Sequence, residues 1–165
     1  MRARLQAGLA LALALAAPAA ARAPDETADR AAIHKLLLDY GATLDRRDFD
    51  GFGRLFAKDG TYGPGEGGDA NGGPAIAEGM RKVFEKNAMG FRAPNFHIFF
   101  NEVVTLDDGD HAHATSMSLY MVPDAENRPS PALMASYDDT LVRENGAWKF
   151  ARRVVKGLIP APRQR

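Results

Sequence analysis

A histidine, His97, lies inside the apolar run Pro94-Asn95-Phe96-His97-Ile98-Phe99-Phe100-Asn101, whose residue types suit a β-strand. Far upstream, a lone carboxylate, Asp45, closes an amphipathic helical pattern. A carboxylate that bonds one imidazole nitrogen fixes the tautomer and leaves the other nitrogen free to take a proton. The pair is therefore the raw material of a general-base dyad. The alternative is a buried histidine that bonds Asp45 or backbone and ties helix to sheet. A carboxylate at a helix C-terminus opposes the macrodipole, so Asp45 calls for a histidine or arginine partner. Strand periodicity places Phe99, Asn101 and Val103 on the face of His97. Four tyrosines could offer a hydroxyl to a substrate carbonyl: Tyr40 one turn before Leu44, Tyr62 on a short strand, and Tyr120 and Tyr137 on later strands. Each could equally be a core tyrosine with a polar tip. Arg143 could hold an anionic substrate group, or pair with Asp139 on its own strand face.

Other chemistries find less support. His111-x-His113, beside Asp107, Asp108 and Asp110, has a spacing that can bind a metal. It sits at a hairpin end, where solvated charge is usual, and lacks a third firm ligand, so no metal is expected. The loop from Gly63 to Gly73 is glycine-rich but has neither the register nor the preceding strand of a dinucleotide site. No cofactor is expected. There is no Gly-x-Ser-x-Gly elbow and no cysteine, which argues against hydrolysis through a covalent intermediate. Lys+Arg and Asp+Glu both number 21, so the chain lacks the basic excess that nucleic-acid binding requires.

The elements that must position these groups follow from patterning. Met1-Arg2-Ala3-Arg4, the Ala/Leu run from Leu5 to Ala17, Pro18 and the small residues that follow have the layout of a secretory signal peptide. We assign residues 1–23 to it, with the cut near Ala21. The mature protein is then expected to be periplasmic or secreted, with no stable membrane insertion. Residues 24–157 form one domain, long enough to stand without disulfides, and residues 158–165 a flexible tail. Asp25-Glu26-Thr27 starts a first helix, and Ile33, Leu36, Leu37, Tyr40 and Leu44 keep helical spacing. Asp48 caps a second helix carrying Phe49, Phe52, Leu55 and Phe56, which Asp59-Gly60 ends. Thr61-Tyr62 begins a short strand. Pro74 opens a third helix with Ile76, Met80, Val83 and Phe84 as its buried stripe. Strands are expected over Phe96 to Leu106, His111 to Val122, Leu133 to Arg143 and Ala147 to Val155, with turns at Asp107–Asp110 and Asn145-Gly146. Helices grouped before strands indicate an α+β fold.

This order resembles the SnoaL-like branch of the nuclear transport factor 2-like superfamily. The matching pieces are Ala31-Ala32-Ile33 through Tyr40 and Asp45; Asp48 with Phe49; Leu55-Phe56-Ala57-Lys58-Asp59-Gly60; Gly73-Pro74-Ala75-Ile76; His97 with Asn101; and Tyr137 through Arg143-Glu144-Asn145-Gly146-Ala147-Trp148-Lys149-Phe150. The resemblance implies a cone-shaped α+β barrel (a cystatin-like roll), with three N-terminal helices on a strongly curved antiparallel sheet. The superfamily holds isomerases, dehydratases, cyclases, dehydrohalogenases and ligand binders. Members similar to scytalone dehydratase and the dehydrochlorinases pair an aspartate at the end of the first helix with a histidine on the first long strand, the places of Asp45 and His97. Arg143 matches an arginine of the dehydrochlorinases. Leu44 stands where scytalone dehydratase has a tyrosine, and Ser116 or Thr115 where it has a second histidine.

The resemblance implies a cofactor-independent lyase or isomerase with His97, Asp45 and Arg143 as its machinery. A small hydrophobic substrate would rest on Tyr40, Phe56, Tyr62, Phe84, Phe99, Asn101, Met117, Leu119 and Tyr137. The alternative is a non-catalytic protein of the same fold that binds a small hydrophobic ligand. The open sheet face would be where a second copy pairs.

Overall fold

The structure, a computed structural model, describes residues 25–159 apart from positions 66 and 68. The expected signal peptide lies outside the described residues.

Helix α1 (Glu26–Asp45) begins at Asp25, whose side chain accepts from the Ala28 N–H at 3.1 Å. Its buried stripe is the expected one, with Ile33, Leu36, Leu37, Tyr40 and Leu44 all in the core. Helix α2 (Phe49–Gly53) is capped by Asp48, which accepts from the Gly51 N–H at 2.7 Å. It is shorter than its apolar spacing suggests. Two glycines weaken it, and Phe56 leaves the helix to open strand β1 (Phe56–Gly63). There Phe56 packs against Phe52 and Phe150. A two-residue strand, β2 (Ala70–Asn71), lies within the glycine-rich loop and pairs with β1. Helix α3 (Gly73–Lys86) buries Ile76, while Val83 stays 62% exposed rather than joining the core.

The strands β3 (Phe96–Leu106), β4 (His111–Pro123), β5 (Pro129–Glu144) and β6 (Ala147–Ile159) form a meander. The six-stranded sheet has the order β2-β1-β6-β5-β4-β3, antiparallel except where β1 runs parallel to β6. Strand β6 extends past the expected start of the tail, because Gly157 and Ile159 still pair with Ala135 and Met134. Residues 160–165 lie outside the described residues.

One face of the sheet is covered by the helices. On β4 the covered residues are Ala112, Ala114, Ser116, Ser118 and Tyr120, so Met117, Leu119 and Met121 point to the opposite face. α1 crosses β3 at close range. A Cβ added to Gly41 would stand 2.8 Å from Phe99 Cε2 and 2.9 Å from His97 Cβ. That approach brings the C-terminal end of α1 beside the start of β3.

Candidate active site

The last turn of α1 and the first residues of β3 meet in a compact polar cluster. Asp45 Oδ2 accepts from the backbone N–H of His97 at 2.9 Å, and Asp45 Oδ1 lies 2.7 Å from His97 Nδ1. Asn95, buried, adds a bond from Nδ2 to Asp45 Oδ1 at 3.3 Å. These donors compensate a carboxylate that the helix dipole disfavours. They also determine the ring. A carboxylate on Nδ1 selects the Nδ1–H tautomer and leaves Nε2 as the basic nitrogen. The ring packs against Tyr120, with centroids 4.9 Å apart, and against Tyr40 at 6.2 Å.

His97 lines a cavity of roughly 390 Å³ between the end of α1, helix α3 and the covered face of the sheet. Leu44, Met80, Val83, Phe84, Met89, Phe91, Leu133, Ala135 and Val155 supply apolar walls. Tyr40, Tyr62, Ser118, Tyr120 and Tyr137 supply hydroxyls. Four of these hydroxyls are paired: Tyr40 with Tyr62 at 2.8 Å, and Ser118 with Tyr137 at 2.8 Å. Burial pushes the Tyr40 phenol well above its ordinary range and the Tyr62 phenol up to about 12. The Arg153 charge acts against both shifts. Both stay protonated near neutrality and remain donors.

Beneath the tyrosines lies a group that sequence reasoning missed. Arg153 and Asp139 are both fully buried and joined at 3.0 Å. The guanidinium sits 4.1 Å from the Tyr40 ring centre, 4.0 Å from Tyr137 and 4.5 Å from Phe150. Burial pushes the Asp139 carboxyl up to about 7, with Arg153 pulling the other way. Asp139 Oδ1, Arg153 Nε and Nη2, and Ser116 Oγ have no hydrogen-bond partner among the described residues. The available signal was strand periodicity. Asp139 and Arg153 fall on inward positions of β5 and β6, directly opposite one another.

Of the expected site residues, the structure brings together His97, Asp45, Tyr40, Tyr62, Phe84 and Tyr137. The others belong elsewhere. Arg143 bonds Asp29 and the Gly109 carbonyl and stacks on Trp148 at 4.5 Å, away from the cavity. Phe56 is core. Phe99 is wedged between Tyr40 and Tyr137 and against Gly41, behind the cavity wall. Asn101 adopts φ 53° at a bulge between Phe100 and Val103, which breaks the alternation and turns it outward. Met117 and Leu119 face the other side of the sheet. At the hairpin end, His111 pairs with Asp108 and His113 with Asp107. Among the described residues no group of three or more potential ligands is placed to hold a metal ion.

Comparison with known proteins identifies the family and the fold. The pattern of the SnoaL-like domain matches residues 25–154. An uncharacterised protein of Mycobacterium tuberculosis is 30% identical over 131 residues, covering 78% of this chain and 85% of that one. Among solved structures, an NTF2-like protein with a cystatin-like fold from Novosphingobium aromaticivorans is 25% identical with a TM-score of 0.67, covering 80% of this chain and 83% of that one. A provisionally assigned scytalone dehydratase from the same organism is 23% identical with a TM-score of 0.68, covering 84% and 91%. The latter likeness speaks to the fold alone.

Proposed function

We propose that this chain, which belongs to the SnoaL-like domain family, is a cofactor-independent lyase or isomerase acting on a small, mostly apolar molecule. The observation that carries the reading is the 2.7 Å contact between Asp45 and Nδ1 of a histidine that lines an apolar cavity. In this reading Nε2 of His97 removes a proton from a carbon next to a carbonyl or a leaving group. Asp45 holds the tautomer and stabilises the imidazolium that forms. The bonding pair left on carbon moves toward the substrate oxygen, where a hydroxyl of the Tyr40–Tyr62 pair donates to the growing negative charge. The tyrosines take the part that the resemblance gave to Arg143. The pair then returns from the oxygen. In an isomerase it takes the proton back at another carbon. In a lyase it forms the new double bond while the bond to the departing group breaks and that group carries the proton away.

The leader-like N-terminus supports export to the periplasm or medium. Phe96 and Ile98, 43% and 45% exposed on the uncovered sheet face beside Met117, Leu119 and Met121, support pairing with a second copy.

The test is deuterium wash-in. A panel of small apolar ketones and β-hydroxy or β-halo carbonyl compounds is incubated with the protein in heavy water and followed by NMR. Exchange or elimination should occur with the native chain. It should fall about 10²–10⁴-fold in Asp45→Asn and His97→Ala, the span of a general base. Equal activity in Asp45→Asn would remove the mechanism. Ligand affinity without exchange on any member of the panel would make the chain a carrier.

A further inference from the structure

We propose that the cavity selects apolar molecules that carry a negative charge, and that Arg47 at its mouth pairs with that charge. This rests on the cavity being the substrate site and narrows its substrate class to small apolar anions.

Arg47 and Lys86 both line the cavity, and among the described residues no carboxylate lines it. The Arg47 guanidinium is held by neutral partners. Nη1 donates to the Leu44 carbonyl at 2.8 Å, Nη2 donates to Asn95 Oδ1, and the head sits 4.2 Å over the Phe84 ring centre. It also reaches the Tyr120 hydroxyl. The adjacent acid, Asp45, is engaged by His97 and Asn95. A fork of five donors is thus held in place with no ion pair to its charge among the described residues.

The backbone makes the same point independently. The Arg47 N–H bonds the Leu44 carbonyl and the Asp48 N–H the Thr43 carbonyl, which closes α1 in a Schellman motif. Arg47 occupies its left-handed position at φ 61°, where glycine sits without strain. The chain keeps an arginine at a position whose backbone favours glycine, so the side chain is what that position supplies. An anion held there would also face the positive charge that His97 acquires on taking a proton.

Two fluorescent probes with similar apolar bodies separate charge from shape: anilinonaphthalene sulfonate, which is anionic, and N-phenylnaphthylamine, which is neutral. Titrated against the full chain, the sulfonate should lose about twofold to fivefold in affinity in Arg47→Gln, the scale of an exposed ion pair. The neutral probe should bind unchanged. Arg47→Gly, which relieves the backbone, should show the same pattern and guards against a folding defect. Arg46→Gln removes a neighbouring charge that does not line the cavity and should alter neither probe. An equal loss of both probes in the two Arg47 variants, or a sulfonate affinity indifferent to Arg47, would overturn the inference. In the second case normal binding of the neutral probe would leave the cavity site standing. Failure of both probes to bind the unaltered chain would overturn the cavity reading as well.

Discussion

Replacing Asp45 with asparagine probes the dyad without a known substrate. In the native chain the two carboxylate oxygens face two donors of one residue, the backbone N–H and Nδ1–H of His97, at 2.9 and 2.7 Å. A carboxamide has one oxygen and one NH2 to offer. If the oxygen keeps the backbone N–H, the NH2 faces Nδ1 and forces that nitrogen to accept. The proton then moves to Nε2, on the cavity side, and the base is lost. If the oxygen turns to Nδ1, the NH2 confronts the backbone N–H and leaves a part-buried donor unmatched. Losing a charge-assisted bond costs about 1.5–3 kcal/mol. Relief of a carboxylate opposed to the helix dipole returns about 0.3–1 kcal/mol. Stability should therefore fall by about 1–2 kcal/mol in urea unfolding, which leaves a folded protein to examine. Nitrogen NMR of the imidazole reads the tautomer directly, with Nδ1–H in the native chain and Nε2–H in Asp45→Asn. The same tautomer in both proteins would refute the claim that Asp45 sets the base, whatever activity the chain has.

Two further outcomes follow from groups outside the dyad. The Asp139 carboxyl is raised from 3.8 to about 7, so between those values the folded state holds a proton that the unfolded chain has lost. Stability should then decline as pH rises through that window and level off above it, by up to about 4 kcal/mol for roughly 3 pKa units. Urea unfolding near pH 5 and near pH 8 should show this slope in the native chain and a flatter one in Asp139→Asn, and identical slopes would contradict the assignment. Arg143→Met removes the guanidinium from Asp29, the Gly109 carbonyl and the face of Trp148. It should cost about 2–4 kcal/mol of stability while leaving the affinity of the neutral cavity probe unchanged, whereas a loss of affinity at intact stability would return Arg143 to the site.

Sequence patterning reached the elements that carry the dyad because each announces itself locally. Ile33, Leu36, Leu37, Tyr40 and Leu44 repeat with helical spacing, Asp25 and Asp48 are capping residues, and the turns after Leu106 and Glu144 contain Asp-Gly and Asn-Gly pairs. What it could not reach depends on register. Period two puts Asn101 beside His97, but a bulge of one residue reverses the face, and nothing between Phe100 and Val103 marks it in advance except an asparagine that tolerates positive φ. On β4 the apolar-looking members Met117, Leu119 and Met121 invite assignment to the pocket. The covered face instead takes Ser116, Ser118 and Tyr120, of which Ser118 bonds the Tyr137 hydroxyl and both Ser118 and Tyr120 line the cavity. The same inversion hid Arg153 and Asp139, since a charged residue at an inward position reads as an error until its counter-charge is seen on the next strand.

The end of α1 concentrates most of what the site needs. Gly41 lets the helix approach β3 closely enough for a carboxylate four residues later to reach His97. Tyr40 and Leu44 line the cavity from the same helix, and Arg47 stands at its mouth in the motif that terminates that helix. These groups move as one body, so their spacing is determined by helix geometry rather than by loop conformation. Asn95 then ties that body to the strand, accepting from Arg47 and donating to Asp45. A charge bound at Arg47 and a proton arriving at His97 are thus joined through one buried amide. This is the physical reason to treat the cation and the base as parts of a single site.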